Sequence, residues 1–182
     1  MKPDFKADRI DVAAFACEGA SLAGSERLAR FPRLASEASE PVPERPVHWS
    51  AEGELRAGGG RADDPWLHLS ANATLPQACQ RCLEPVEIRL EVDRWFRFAA
   101  DEETAAAQDE DAEEDVLALE AGFDLCRLVE DELLMALPVV PLHDACPVPV
   151  GAALADPDFQ SASEDRKNPF AALAQLRPRT KG

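Results

Sequence analysis

The feature that most restricts the fold of this chain is an alternation of apolar and polar residues between residues 47 and 98. Side chains of a β-strand point to opposite faces in turn, so alternation over roughly four to eight residues predicts a strand with one buried face. Three successive runs show it, with the apolar sets Val47, Trp49, Ala51, Leu55; Leu67, Leu69, Ala71, Ala73, Leu75; and Val86, Ile88, Leu90, Val92, Phe96, Phe98. The segment therefore predicts three or more strands.

Turn residues separate the three runs. Residues 58 to 60 are all glycine, and Pro76 and Pro85 bound the second connection. Connections this short join antiparallel neighbours, because parallel strands need a crossover of about a dozen residues or more. The sequence thus predicts an α+β fold in which an antiparallel meander packs with a few short helices.

Helical periodicity lies on both sides of the strands. Residues 9–35 are rich in alanine, with apolar residues spaced by three and four, and predict two short helices. Residues 124–137 predict a longer helix, which Asp124 caps and Pro138 ends. A short helix is expected over residues 168–176. We expect one domain over residues 1–149 and an extended C-terminal tail over 150–182.

The net charge of the chain indicates which classes of macromolecule it can bind. The net charge is −16, and nine acidic residues without a basic one lie between residues 101 and 115, which predicts a mobile acidic loop over residues 100–115. A field of this sign repels nucleic acid, whose binding depends on basic side chains. We therefore expect a basic protein as partner, and no DNA partner.

The five cysteines do not indicate a secreted disulfide framework, since their number is odd and no signal peptide precedes them. The longest apolar run, residues 133–142, is broken by Pro138 and Pro141. No segment has the unbroken apolar length that a membrane-spanning helix needs. We expect a cytoplasmic protein in a reducing compartment, with no membrane partner.

Two cysteines form a C-x-x-C motif between the second and third predicted strands. Cys79 and Cys82 would lie at the tip of a hairpin, as two ligands do in a zinc knuckle. His143 and Cys146, in the proline-rich segment after the long helix, are candidates for the other two ligands. A turn that binds no metal is the alternative.

A thiol oxidoreductase is a further alternative for the C-x-x-C motif. Such enzymes place the motif at the start of a helix, which lowers the pKa of a thiol, whereas here Pro85 and Val86 lead into a strand. We therefore expect ordinary pKa values for Cys79 and Cys82.

Other charged groups are candidates for binding rather than catalysis. Three adjacent acids on the long helix, Glu130, Asp131 and Glu132, could receive a basic partner or form a solvated face. No pair of carboxylates at defined spacing indicates acid and base catalysis. The C-terminal tail carries the candidates for RNA contact, Arg166, Lys167, Arg177, Arg179 and Lys181, unless it is a solubilising tail.

Three blocks together resemble a known bacterial family. They are residues 78–86 (ACQRCLEPV), residues 128–144 (LVEDELLMALPVVPLHD) and residues 167–176 (KNPFAALAQL), and they occur in the family's order. The chain resembles the YceD family of large ribosomal RNA subunit accumulation proteins. Some relatives carry further cysteines after the helix, which would complete a zinc site, whereas this chain has Cys146 with His143.

The resemblance implies a role in the synthesis, processing or stability of large-subunit ribosomal RNA and implies no defined catalytic activity. The leading hypothesis is a non-catalytic ribosome-biogenesis factor that acts through a basic ribosomal protein or an RNA-processing enzyme. The expected partner-binding residues are Glu130, Asp131, Glu132, Asn168, Pro169 and Phe170. The alternative is a zinc-dependent structural module, and direct RNA contact is an open question.

Overall fold

A computed structural model of the chain describes residues 5–57 and 63–148. The chain divides into two compact units, Met1–Ala145 and Cys146–Gly182, and all of the described helices and strands belong to the first unit. The predicted helix at 168–176 and the predicted domain boundary after residue 149 lie outside the described residues, so both stay predictions.

One five-stranded sheet forms the centre of the fold. Its strands lie in chain order: β1 (Ser21–Arg27), β2 (Pro46–Ala57), β3 (Asp63–Ala78), β4 (Pro85–Ala99) and β5 (Asp115–Ala118). The first four pair antiparallel, and β5 pairs parallel to β4. The predicted α+β meander is confirmed. Apolar positions of neighbouring strands lie opposite one another, as Leu67 does with Phe96.

The described residues form four α-helices beside the sheet: α1 (Val12–Cys17), α2 (Pro32–Ser36), α3 (Glu102–Asp109) and α4 (Leu125–Met135). The predicted helix at 124–137 is confirmed as α4, and the Asp124 side chain caps it by accepting from the Arg127 N–H at 3.1 Å. Leu125, Val129 and Leu133 of α4 are fully buried in the core. Among the described helices, none combines the length and apolar character needed to cross a bilayer.

The prediction of helices over residues 9–35 is wrong at its centre. Ser21–Arg27 is the edge strand β1, and only α1, α2 and a single 3-10 turn, Leu28–Arg30, are helical. Gly24 of β1 lies opposite Trp49 on β2. A Cβ atom at Gly24 would lie 2.6 Å from the Trp49 indole, so glycine is needed for the ring to pack there.

The prediction of an acidic loop over residues 100–115 is also wrong. Residues 102–109 form α3, and the Asp101 side chain caps it by accepting from the Thr104 N–H at 2.8 Å. These bonds to Thr104 lower the pKa of Asp101. Ala105 is buried in a small cluster with Ala99 and Val116. A short alanine-containing face of α3 therefore packs, while its charged residues Glu102, Glu103 and Asp109 stay exposed.

Gly53 on β2 lies beneath α1. A Cβ atom there would lie 2.5 Å from a ring carbon of Phe15 and 2.9 Å from the backbone nitrogen of Ala16, so α1 would have to move. We expect Gly53→Ala to lower the free energy of unfolding by about 2 kcal/mol, in the range for overpacked cores. Denaturant titration measures this loss.

Gly19→Asn is the matched control for this substitution. Gly19 has a positive φ of 54°, and a Cβ atom there would meet nothing within 4 Å. Asparagine tolerates this backbone conformation, so the stability should change by less than about 1 kcal/mol. Equal stabilities of the Gly53→Ala variant and the parent chain would show that α1 does not pack closely against Gly53.

Candidate metal centre

Cys79 and Cys82 lie at the tip of the hairpin that joins β3 to β4, as the sequence predicted. The turn is closed by two backbone hydrogen bonds: the Leu83 N–H donates to the Cys79 carbonyl at 2.8 Å, and the Cys79 N–H donates to the Glu84 carbonyl at 3.0 Å. Leu83 adopts a φ of +63°, which is uncommon for residues other than glycine. This turn brings both sulfur atoms to one side of the hairpin.

The segment that follows α4 is hydrogen bonded to this turn. The Gln80 N–H donates to the Pro141 carbonyl at 2.9 Å, and the Arg81 guanidinium donates to the His143 carbonyl at 2.6 Å. These two bonds connect parts of the chain about sixty residues apart. They place His143 beside both cysteines.

Three of the predicted ligands come together within the first unit. The ligand atoms of Cys79, Cys82 and His143 all lie within 4.8 Å of one another. The Cys82 Sγ is 3.4 Å from the His143 Nδ1. The His143 Nε2 is 3.0 Å from the Pro85 carbonyl oxygen. Because a carbonyl only accepts, Nε2 carries the proton in the neutral ring, and the Nδ1 lone pair points to the cysteines.

This arrangement fits zinc. A tetrahedral zinc site with a Zn–S bond of about 2.3 Å and a Zn–N bond of about 2.05 Å separates sulfur from nitrogen by about 3.6 Å. The 3.4 Å between Cys82 and His143 is close to this separation. The hydrogen bond from His143 to a backbone carbonyl is the kind of outer contact that orients metal-binding histidines. Thiolate and imidazole groups also favour zinc, whereas magnesium and calcium prefer oxygen ligands.

Cys146 is the fourth predicted ligand and the first residue of the second unit, where it is half-buried. It follows His143 by three residues, and three residues of extended chain span at most about 10 Å. Its role as a ligand stays a prediction.

The thiol of Cys79 has a lowered pKa, which corrects the expectation of an ordinary value. Burial raises the pKa, but hydrogen bonds from the backbone N–H groups of His143, Arg81 and Cys82 together outweigh it and lower the pKa to about 5. The His143 N–H lies 3.5 Å from the sulfur. A thiolate at neutral pH suits both a metal ligand and a redox nucleophile. The full burial of Cys79 favours the metal ligand, since reactive cysteines are accessible.

The lowered pKa predicts how the metal-free protein responds to pH. Because the pKa of Cys79 falls from 9.0 to about 5 on folding, the thiolate stabilises the fold fully above pH 9, and this contribution is lost as the pH falls through 5. Thiolate absorbance of the chelator-treated protein should therefore show one group titrating near pH 5. Cys79→Ala should remove that step, and its persistence in this variant would assign the step to another group.

The acidic helix residues have contacts that the sequence did not predict. Glu130 is only 6% exposed, and its carboxylate accepts from the N–H groups of Arg33 at 2.8 Å and Leu34 at 3.2 Å. It also pairs with the Arg33 guanidinium at 2.8 Å. Glu130 thus caps α2, whose own N-cap residue, Phe31, makes no side-chain bond.

The neighbours of Glu130 are also paired. Glu132 is 8% exposed and accepts from the Arg94 guanidinium at 3.2 Å, while burial raises the pKa of its carboxyl group. Asp131 pairs with Arg33 at 2.5 Å and stays half-exposed. The prediction of a solvated face is therefore wrong for Glu130 and Glu132. Partner binding by this triad stays a prediction.

The remaining predicted site residues lie outside the described residues. They are Arg166, Lys167, Asn168, Pro169, Phe170, Arg177, Arg179 and Lys181. Sequence reasoning missed the groups that orient the cluster, Arg81 and the Pro85 carbonyl. Arg81 lies inside the C-x-x-C motif and Pro85 follows it closely, so their positions in the sequence could have indicated that they contact the cluster.

The fold and the site define a small α+β protein whose central hairpin carries a cluster of metal-binding side chains. Residues 67–177 match the family described as large ribosomal RNA subunit accumulation protein YceD. This match covers more than half of the chain, so the chain belongs to the YceD family. The resemblance seen in the sequence is thereby confirmed.

One relative is the large ribosomal RNA subunit accumulation protein YceD of Haemophilus influenzae. It is 35% identical over 102 residues, which cover 54% of this chain and 58% of the relative. The alignment therefore spans less than two thirds of the relative's length. No solved structure matches the chain. The family is named for accumulation of ribosomal RNA and not for an enzymatic reaction.

Proposed function

We propose that the protein is a non-catalytic accessory factor for the accumulation of large-subunit ribosomal RNA. The observation that carries this proposal is the family match over residues 67–177, a range that contains most of β3, all of β4 and α4, and the Cys79, Cys82 and His143 cluster. The name of the Haemophilus influenzae relative supports the same role. The stage at which the factor acts is RNA synthesis, processing or stability.

The factor acts in the cytoplasm through a protein partner, either a basic ribosomal protein or an RNA-processing enzyme. Net charge supports this choice, because a chain with 35 acidic and 19 basic residues repels phosphate and attracts basic proteins. Direct RNA contact, if made, would fall to the basic residues of the C-terminal tail.

Deletion of the gene tests this function. Mature large-subunit RNA should decrease relative to small-subunit RNA, or its precursor should accumulate, and a plasmid copy of the gene should restore both. Quantitative hybridisation of precursor and mature species measures the effect. Unchanged levels of both species would refute the role.

A second function, as a zinc-dependent structural module, is favoured by the geometry of Cys79, Cys82 and His143. Cys79, Cys82 and His143 would hold the zinc ion, and their coordination to it would join the hairpin turn to the segment after α4. Elemental analysis should find about one zinc per chain, as tight structural sites retain their metal.

Two variants make the zinc measurement specific. Cys82→Ser should purify with far less zinc, whereas Cys17→Ser, which changes an exposed thiol, should keep the full amount. Equal zinc in all three proteins would mean that the metal binds elsewhere. Zinc-free parent protein would remove this second function. The thiol oxidoreductase alternative is disfavoured by the burial of Cys79.

A further inference from the structure

The face of the sheet opposite the core carries a cluster of aromatic and cationic side chains. Along the central parts of β2, β3 and β4, the residues between the buried positions point to this face and stay accessible. His68 lies opposite Trp95, and Trp66 lies opposite Arg97, in the register of β3 with β4. We call this surface the open face.

Two tryptophans at one end of the open face hold a guanidinium group. The Arg56 guanidinium carbon lies 3.7 Å from the centre of the Trp95 ring and 4.4 Å from that of Trp66. His68 stacks on Trp95 with ring centres 4.4 Å apart. The tryptophan ring is the strongest cation–π acceptor among side chains. The chain's own Arg56 therefore shows that these two rings can hold a guanidinium group.

A cleft of 220 Å³ opens beside Trp95. It is lined by Glu52, Gly53 and Glu54 of β2 and by residues 19–21 at and just before the start of β1. Glu54 pairs with Arg56, whereas Glu52 is exposed. A cleft that contains an indole ring and an exposed carboxylate can bind a cationic side chain, because both groups attract positive charge.

The excess of acidic over basic side chains on the open face disfavours a phosphate backbone as its ligand. Six carboxylates and three guanidinium groups lie on its β2, β3 and β4 positions: Glu52, Glu54, Asp64, Glu87, Glu91 and Asp93, against Arg56, Arg89 and Arg97. Phosphate binding needs a basic surface. Aromatic rings in an acidic surround complement arginine or lysine side chains.

From this arrangement we infer that the open face around Trp66, Trp95 and Glu52 is the docking surface for an arginine-rich segment of a protein partner. The partner's guanidinium enters the cleft beside Trp95 and pairs with Glu52. This inference rests on the proposed action through a basic protein, and it names the surface and the chemistry of that contact.

Binding of a labelled peptide of alternating arginine and serine to the full chain tests the inference. Fluorescence anisotropy should show binding that weakens as salt is added, because exposed charges are screened. Trp95→Ala should weaken it about tenfold, as expected for loss of one partly desolvated cation–π contact. Trp95→Phe should retain part of the affinity, and Glu52→Gln should reduce the salt dependence.

Controls separate recognition from damage to the fold. Asn72→Ala, an exposed change on the same face of β3, should leave peptide binding unchanged, and circular dichroism should show that every variant is folded. The same peptide with citrulline in place of arginine should bind at least about tenfold more weakly, because citrulline is neutral and makes no cation–π contact.

Two outcomes would overturn the inference. One is peptide binding that is unaffected by Trp95→Ala in a folded variant. The other is single-stranded RNA binding more tightly than the peptide and depending on Trp95, which would make the open face a base-stacking surface. Failure of the proposed function is distinct, because gene deletion would then leave ribosomal RNA unchanged while the purified protein still bound the peptide.

Discussion

Glu130→Ala is expected to lower the free energy of unfolding by about 3 kcal/mol. The substitution removes the cap of α2, because the N–H groups of Arg33 and Leu34 lose their acceptor, and each buried donor left without an acceptor costs about 1 to 3 kcal/mol. The carboxylate is only 6% exposed, so little water can replace it. For a chain of this size the melting temperature should fall by roughly 10 °C in calorimetry.

Asp131→Ala is the matched control for this loss. Asp131 pairs with the same Arg33 but is half-exposed, and exposed ion pairs contribute about 1 kcal/mol or less. A drop for Asp131→Ala as large as that for Glu130→Ala would show that the ion pair with Arg33, and not the cap of α2, stabilises this contact.

Removal of zinc with a chelator is expected to lower the melting temperature by about 10 °C. A ligand held at about a thousand times its dissociation constant stabilises the folded state by about 4 kcal/mol. The effect is large because the ion would join the β3–β4 turn to a segment about sixty residues further along. Thermal unfolding with and without chelator measures it.

The response should be specific in metal and in residue. Added zinc should restore the melting temperature, whereas magnesium should not, because magnesium prefers oxygen ligands. Cys82→Ser should no longer respond to the chelator, and Cys17→Ser should respond as the parent does. A parent protein with the same melting temperature in chelator would contradict a structural zinc site.

The sequence predicted the long strands and α4 because their burial pattern is simple. Each of β2, β3 and β4 buries one continuous face, so period-two alternation extends over many residues. Strand β1 was missed because it is an edge strand and is only half-buried on one face. Apolar and polar residues therefore alternate only weakly in its sequence, SLAGSER. Gly24 looks like a helix interruption in sequence, and only its partner Trp49 explains it.

The candidate metal centre was predicted only where its residues form a local sequence pattern. A C-x-x-C motif between two strands defines a hairpin tip from local sequence alone, which gave Cys79 and Cys82. His143 could be proposed as a ligand, but its approach to the turn depends on long-range bonds made by Gln80 and Arg81. The cap that Glu130 provides to α2 joins residues about a hundred apart and leaves no local pattern.

Complementation of a deletion strain tests most directly that this protein supports accumulation of large-subunit ribosomal RNA and that it needs the cysteine cluster to do so. The parent gene and Cys17→Ser should restore the ratio of mature large-subunit to small-subunit RNA, and Cys79→Ser should fail although the protein is present at comparable levels. Full restoration by Cys79→Ser would contradict a functional role of the cluster. An unaltered RNA ratio in the deletion strain itself would contradict the central claim.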